Sequence, residues 1–261
     1  MPRAFRNVRP RFTLLACLIV APAGLAAVRA QAPPVPPSLT PDDLAIGCGP
    51  RLLAPPGTRL PLIGSQDGLR RRTYGPGDGI VVAGGATHGV QPGEWYYVRR
   101  PSRRQWPSEG AGALSGAVHT AGWIRITAVQ QDTSIAEVVH ACDGFMEGDY
   151  LDTFTPPKAP TIVLGTTEPD YGQTATILFG DEGRAVAGPG GLMLVDKGAD
   201  AGLSFGQRAT VFRELFGQSG PVHEVAAAVV VEVAAETAMI RIEGARREVY
   251  AGDRVALHPI R

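Results

Sequence analysis

Val82-Ala83-Gly84-Gly85-Ala86-Thr87-His88-Gly89-Val90-Gln91-Pro92-Gly93 has a second version in the same chain, Val195-Asp196-Lys197-Gly198-Ala199-Asp200-Ala201-Gly202-Leu203-Ser204-Phe205-Gly206. Gly85, Gly89 and Gly93 in the first fall at the same spacing as Gly198, Gly202 and Gly206 in the second. Each stretch follows a β-type run, Ile80-Val81-Val82 or Leu192-Met193-Leu194-Val195, and precedes another, Trp95-Tyr96-Tyr97-Val98 or Ala209-Thr210-Val211-Phe212. Glycine spaced by four within an apolar helix would signal helix packing, but this stretch is polar and lies between strands. It also lacks the Gly-Lys-Ser/Thr ending of a phosphate loop. The reading that remains is a wide turn whose glycines permit positive φ and close backbone approach.

The duplication extends outward. Asp132–Val138 aligns with Glu236–Ile242, and the copies then run without a gap to Gly148-Asp149 and Gly252-Asp253. Upstream, Pro76-Gly77 pairs with Pro189-Gly190, and Leu62-Ile63-Gly64 with Leu178-Phe179-Gly180. A repeat of this size marks one supersecondary unit used twice. The runs Trp123–Val129 and Ala228–Val233 are β-branched, the first alternating in polarity, and Gly or Asp punctuates the chain at turn-like intervals. The expected fold is all-β: two tandem small β-barrel, SH3-like repeats over 48–154 and 171–261. Asp181-Glu182-Gly183 reads as a hairpin loop with Gly183 left-handed. Thr40-Pro41-Asp42-Asp43 has the N-cap and first-position proline of a helical turn.

Proline-rich stretches bound the units: a spacer over 31–47, and a linker over 155–170 that opens with Thr155-Pro156-Pro157-Lys158-Ala159-Pro160. Two small domains on a stiff spacer, or two copies packed into one pseudo-symmetric body, both fit this pattern. Ahead of the spacer, Arg3, Arg6, Arg9 and Arg11 precede an apolar stretch from Phe12 to Ala27, then Val28-Arg29-Ala30. That is the layout of a signal peptide over 1–30, too short and too interrupted for a membrane span. Leu14-Leu15-Ala16-Cys17 lies inside the apolar region instead of closing it, so a lipid anchor is not expected. The expected location is the periplasm or cell surface of a bacterium, with no transmembrane anchor after cleavage.

The chain has 25 basic and 25 acidic residues; its first 30 contain five arginines and no acid, which leaves 20 against 25, a formal −5. Such a balance lacks the positive footprint a nucleic acid requires. Beyond the leader the cysteines are Cys48 and Cys142, without a Cys-x-x-Cys motif, and an exported context favours a disulfide between them.

The apolar–Asp/Gly–x–Gly-x-x-x-Gly-x-x-x-Gly pattern, the following strands, Thr133-Ser134-Ile135-Ala136-Glu137-Val138 and the closing Gly-Asp resemble small β-barrel repeats of bacterial envelope proteins. Similar repeats form the barrel of rod-shape-determining MreC-type proteins and the C-terminal domain of flagellar assembly T-type proteins. Others occur in secreted proteins with LysM peptidoglycan-binding modules. Coiled coil, flagellar partner region and LysM segment are all missing from this sequence. The resemblance implies envelope assembly, wall binding or scaffolding, and carries no catalytic residues.

The residues themselves offer little chemistry. Neither Ser115 nor Ser219 sits in a nucleophile elbow, and the five histidines form no His-Glu-x-x-His. His140, Asp143 and Glu147 beside Cys142 match no ligand spacing, so neither metal nor cofactor is expected. Asp149 and Asp253 each follow Gly at a strand start and read as turn caps. The first copy, however, is about nine residues longer between Arg99 and Thr120. Arg99, Arg100, Arg103, Arg104 and Trp106 in that insertion are the candidate binding residues, since arginine pairs with carboxylates and tryptophan stacks on sugars or side chains. A solvated hairpin tip with Trp106 folded back is the alternative. The functional expectation is a non-catalytic envelope module binding cell-wall polymer or an envelope protein. An accessory subunit of a secretion or appendage assembly comes next, then a secreted hydrolase.

Overall fold

A computed structural model describes residues 38–54, 56–102, 116–214 and 221–260. The expected signal peptide, Arg103, Arg104 and Trp106 lie outside the described residues. The first copy contributes α1 (Pro41–Cys48), β1 (Arg51–Leu52), β2 (Leu62–Ser65), β3 (Gly79–Val82), β4 (Trp95–Pro101), β5 (Ala117–Val129), β6 (Ser134–Ala141) and β7 (Tyr150–Thr153). The second contributes β8 (Asp170–Gly180), β9 (Val186–Ala187), β10 (Leu192–Val195), β11 (Arg208–Glu214), β12 (Val222–Val233), β13 (Ala238–Ala245), β14 (Val249–Tyr250) and β15 (Arg254–Leu257). The protein is all-β.

In the second copy β10, β13, β12, β11, β15 and β8 close into a barrel. The first copy follows the same order, β2-β3-β6-β5-β4-β7, with β1 added beside β5. Its ends meet at an isolated bridge between Pro61 and Tyr150, where Leu62 N–H donates to Asp149 O at 2.7 Å and Leu151 N–H to Leu60 O at 3.0 Å. One copy is thus a closed barrel and the other a rolled sheet of the same topology. Each has its own apolar interior, built on Leu62, Ile80, Ile124, Ile126 and Phe145 in one and on Ile177, Met193, Val211, Val230 and Ile240 in the other.

The glycine loop does the same job twice. Ala86 and Thr87 N–H donate to Gln130 and Gln131 O, and Ala199 and Asp200 N–H to Ala234 and Ala235 O. Gly89 and Gly202 have φ of 79° and 85°, which close the short 3-10 turns Ala86–His88 and Ala199–Ala201. Gly85 and Gly198 have negative φ; there glycine is required because a Cβ would meet the carbonyls of the next hairpin.

Backbone bonds correct the upstream alignment by one residue. Gly148 N–H donates to Leu62 O, and Gly252 N–H to Ile177 O, so Leu62 matches Ile177 and not Leu178. Both copies carry the same β-bulge: Leu62 and Gly64 face Val82 and Val81, just as Ile177 and Phe179 face Val195 and Leu194. Phe179 therefore occupies the place of Gly64.

That position belongs to the face joining the copies. Phe179, Leu192, Leu194, Val229, Val231 and Met239 on the outside of the barrel are buried with Ile46 of α1 and Ala117 of β5. Of the two arrangements the sequence leaves open, the packed one is present: residues 33–261 form one compact unit. Pro41–Cys48, all but its last residue within the stretch read as spacer, folds as a helix wedged into this seam. Thr40 Oγ accepts from Asp43 N–H at 3.2 Å, and Asp43 Oδ2 accepts from Thr40 N–H at 2.8 Å, a complete capping box. The other Asp43 oxygen accepts from Ala159 N–H at 2.6 Å and draws the proline-rich linker onto the helix.

Arg51 locks the far end of α1. Its guanidinium donates to the carbonyls of Ile46, Gly47 and Gly49 and pairs with Glu232 of the barrel, Nε to Oε1 at 2.9 Å. Arg51→Met keeps the aliphatic stem and removes these bonds. An expected loss of about 2 kcal/mol follows from charge-assisted hydrogen bonds of this kind. The urea midpoint should fall at unchanged m-value; an unmoved midpoint would show that the pair contributes nothing.

Candidate functional site

A cleft of about 680 Å³ opens where the two copies meet. The end of α1 supplies Cys48, Gly49 and Pro50; the first sheet supplies Arg100, Pro101, His119, Asp143, Glu147 and Asp149; the second copy supplies Phe179, Asp181 and Glu182. Five carboxylates thus face one arginine and one histidine.

The arginine is already committed. Arg100 grips Asp149 with two bonds of 2.9 Å, Nε to Oδ1 and Nη2 to Oδ2, and donates to Gly144 O at 2.6 Å. Asp149 Oδ2 also accepts from Met146 N–H at 2.9 Å, so the carboxylate caps its turn. Burial pushes the Asp149 carboxyl up, against the opposing pull of Arg100 and the Met146 N–H. The second copy repeats the device: Arg213 holds Asp253 at 2.6 and 2.7 Å, and Asp253 accepts from Tyr250 N–H at 2.8 Å. Asp253 does not line the cleft, yet it makes the same bonds. Asp149 is therefore accounted for as a turn clamp shared by both copies.

What remains is an acidic wall. Asp181 is half-buried, accepts from Glu182 N–H at 2.9 Å and has no ion pair among the described residues. Burial raises its carboxyl above the ordinary range; the Glu182 N–H, His119 and Arg184 pull against this, while the Glu182 carboxylate adds to it. Glu182 sits at φ 50°, a left-handed conformation disfavoured for a residue with a Cβ. It stands beside Gly183 at φ 76°, the left-handed glycine the sequence anticipates. Asp143 is exposed and lies 3.3 Å from His119 Nε2. Alignment there is too poor for a hydrogen bond, and His119 Nε2 is buried without a hydrogen-bond partner among the described residues. Asp143 already pairs with Arg100 Nη1 at 3.4 Å and Glu182 with Arg184 Nη2 at 3.1 Å, so an ammonium or guanidinium would meet Asp181 and Glu147 as the carboxylates without an ion pair among the described residues.

The candidate binding arginines separate. Arg99 is 3% exposed, donates to Asp152 at 2.7 Å and Thr120 Oγ1 at 2.6 Å, and lies 4.4 Å above the Tyr97 ring. It is a core residue and reaches no ligand. Arg100 borders the cleft but is held by Asp149. Pro101, Ser102 and Val118 line the cleft, so the flanks of the long connection belong to its rim.

Cys48 and Cys142 form the expected disulfide, which ties α1 to the strand end after β6. Asp181, Glu182 and the cleft itself were missed by sequence reasoning, because an inter-copy surface leaves no local pattern. The only available signal was an acidic Asp-Glu pair in a hairpin loop. No protein-family model and no curated protein matches this chain.

Proposed function

We propose that this protein is a non-catalytic module of a bacterial envelope that binds cell-wall polymer, or a protein partner there, through a cationic group seated in the inter-copy cleft. The observation that carries this reading is the half-buried Asp181 carboxylate, lacking an ion pair among the described residues, in a cleft lined by four further carboxylates. Two facts favour binding over hydrolysis. Asp149, whose raised carboxyl would suit a general acid, is consumed by a clamp that recurs at Asp253 outside the cleft. Of the two hydroxyls that line the cleft with His119, Ser102 and Thr120, the latter accepts from Arg99 Nη1 at 2.6 Å. The disulfide and the expected leader agree with an exported protein. Among the described residues no helix is long and apolar enough to cross a membrane.

The test is co-sedimentation of residues 33–261 with isolated wall sacculi. Saturable pelleting is expected, weakened about tenfold by Asp181→Asn, in line with loss of one charge-assisted contact. A bound cation needs Asp181 ionised. Affinity is therefore full above the raised pKa and falls as pH drops through it, starting higher than for an ordinary aspartate; Asp181→Asn removes that dependence. Protein left in the supernatant would discard wall polymer and direct cross-linking towards protein partners. Unweakened binding by Asp181→Asn would discard the cleft.

A further inference from the structure

The bridge between Cys48 and Cys142 has a third donor beside it. His140 Nε2 lies 3.7 Å from Cys48 Sγ, and the three donor atoms all fall within 4.8 Å of one another. Two sulfurs and an imidazole nitrogen are the ligand types that zinc prefers. The ring is fixed for this contact: His140 stacks on Trp123 with centroids 4.3 Å apart and planes at 24°. Trp123 is itself 1% exposed, held edge-on by Tyr97 and backed by Phe154. Gly47, packed on Trp123 and Pro157 where a Cβ would clash, brings Cys48 up to this platform. Cys48 forms part of the cleft wall, and all three residues are only partly buried.

We propose that Cys48, Cys142 and His140 form a redox-gated metal site, which binds a soft divalent cation such as Zn2+ when the bridge is reduced and releases it when the bridge re-forms. A dithiol reductant opens the bridge, giving two protein thiols and its own cyclic disulfide. Zn2+ then displaces one proton from each thiol, and His140 donates its Nε2 lone pair as third ligand. In the reverse direction a hydroperoxide takes two electrons from the two thiolates; with two protons its oxygens leave as water and alcohol, the sulfurs rejoin, and Zn2+ departs. Two sulfurs held about 2.3 Å from a tetrahedral ion stand about 3.7 Å apart, a separation that rotation about the cysteine side-chain bonds supplies. Three protein ligands leave the fourth position for water, the open arrangement of zinc sites that exchange ligands. The cost of losing the bridge is offset in the metal-bound form, because binding to the folded state alone stabilises it.

The experiment uses residues 33–261, which exclude Cys17, reduced and desalted without oxygen, with Co2+ as optical probe and Zn2+ as competitor. One Co2+ per chain is expected, with a thiolate-to-metal charge-transfer band that Zn2+ abolishes and hydroperoxide bleaches as the metal is released. The oxidised protein should show no such band, and His140→Ala in the reduced form should bind at least about tenfold more weakly. Reduced protein with native circular dichroism but no charge-transfer band would overturn the proposal. So would equal affinity in His140→Ala, or a reduced chain that unfolds and stays unfolded when Zn2+ is added.

Discussion

Gly198→Ala is expected to lower stability by about 3–4 kcal/mol, while Gly202→Ala, four residues on in the same loop, costs about 1 kcal/mol. A Cβ on Gly198 would stand 2.2 Å from Ala234 O, 2.6 Å from Ala235 O and 2.6 Å from Thr237 N. Those two carbonyls accept the bonds from Ala199 and Asp200 that dock the loop on the β12–β13 hairpin. Backbone atoms on a closed barrel cannot step aside, so the loop must lift and both bonds are lost. At Gly202 nothing lies within 4 Å of the added Cβ; only the φ of 85° is unfavourable to alanine. Urea unfolding of the two variants separates the mechanisms. Equal losses would show that the close approach at Gly198 is relieved at no greater cost than the left-handed φ at Gly202.

The second large effect is loss of the disulfide. Replacing Cys48 and Cys142 together by alanine is expected to cost about 4–5 kcal/mol, the chain-entropy value for a closed loop of this length. The bridge restrains more than a loop. It anchors α1, and α1 carries Ile46 into the seam and Asp43 to the linker. The thermal midpoint should therefore fall steeply, and the reduced wild-type protein, free of metal, should match the double variant. A double variant that melts with the oxidised wild type would show that Arg51 and the apolar seam hold the helix unaided.

Much of this fold was legible because it is written twice. The three glycines, the β-branched runs and the closing Gly-Asp each appear at matching places, and each proved to be a turn or a strand. Pairing of Cys48 with Cys142 was legible from the expectation of an exported chain and from their number. Other features were hidden for physical reasons. Matching Gly64 with Gly180 by identity misses the bulge, since a bulge shifts register without altering composition. Two turns of helix with a single buried apolar side chain, Ile46, give too weak a period to mark α1 as a wedge. Arg99 looked like a binding residue because sequence cannot tell an arginine folded over Tyr97 from one that faces solvent. Trp123–Val129 alternates in polarity, whereas Val229-Val230-Val231 does not, and an unbroken apolar run is the mark of a strand covered on both faces. Val229 and Val231 face the seam, and Val230 the barrel interior.

The seam also gives the molecule a direction. Gly93 N–H donates to Ile126 O and Gly206 N–H to Val230 O, which matches Arg125 to Val229 and Thr127 to Val231. Where the second copy presents Phe179, Leu192, Val229 and Val231, the first presents Gly64, Gly79, Arg125 and Thr127, with Arg125 paired to Glu137 at 3.0 Å. A head-to-tail contact repeated on identical units would lengthen without limit into a filament. Here, among the described residues, the acceptor surface exists on one unit and its donor, α1, is already seated on it. Growth by this contact ends inside a single polypeptide, and duplication has yielded a self-terminated pair.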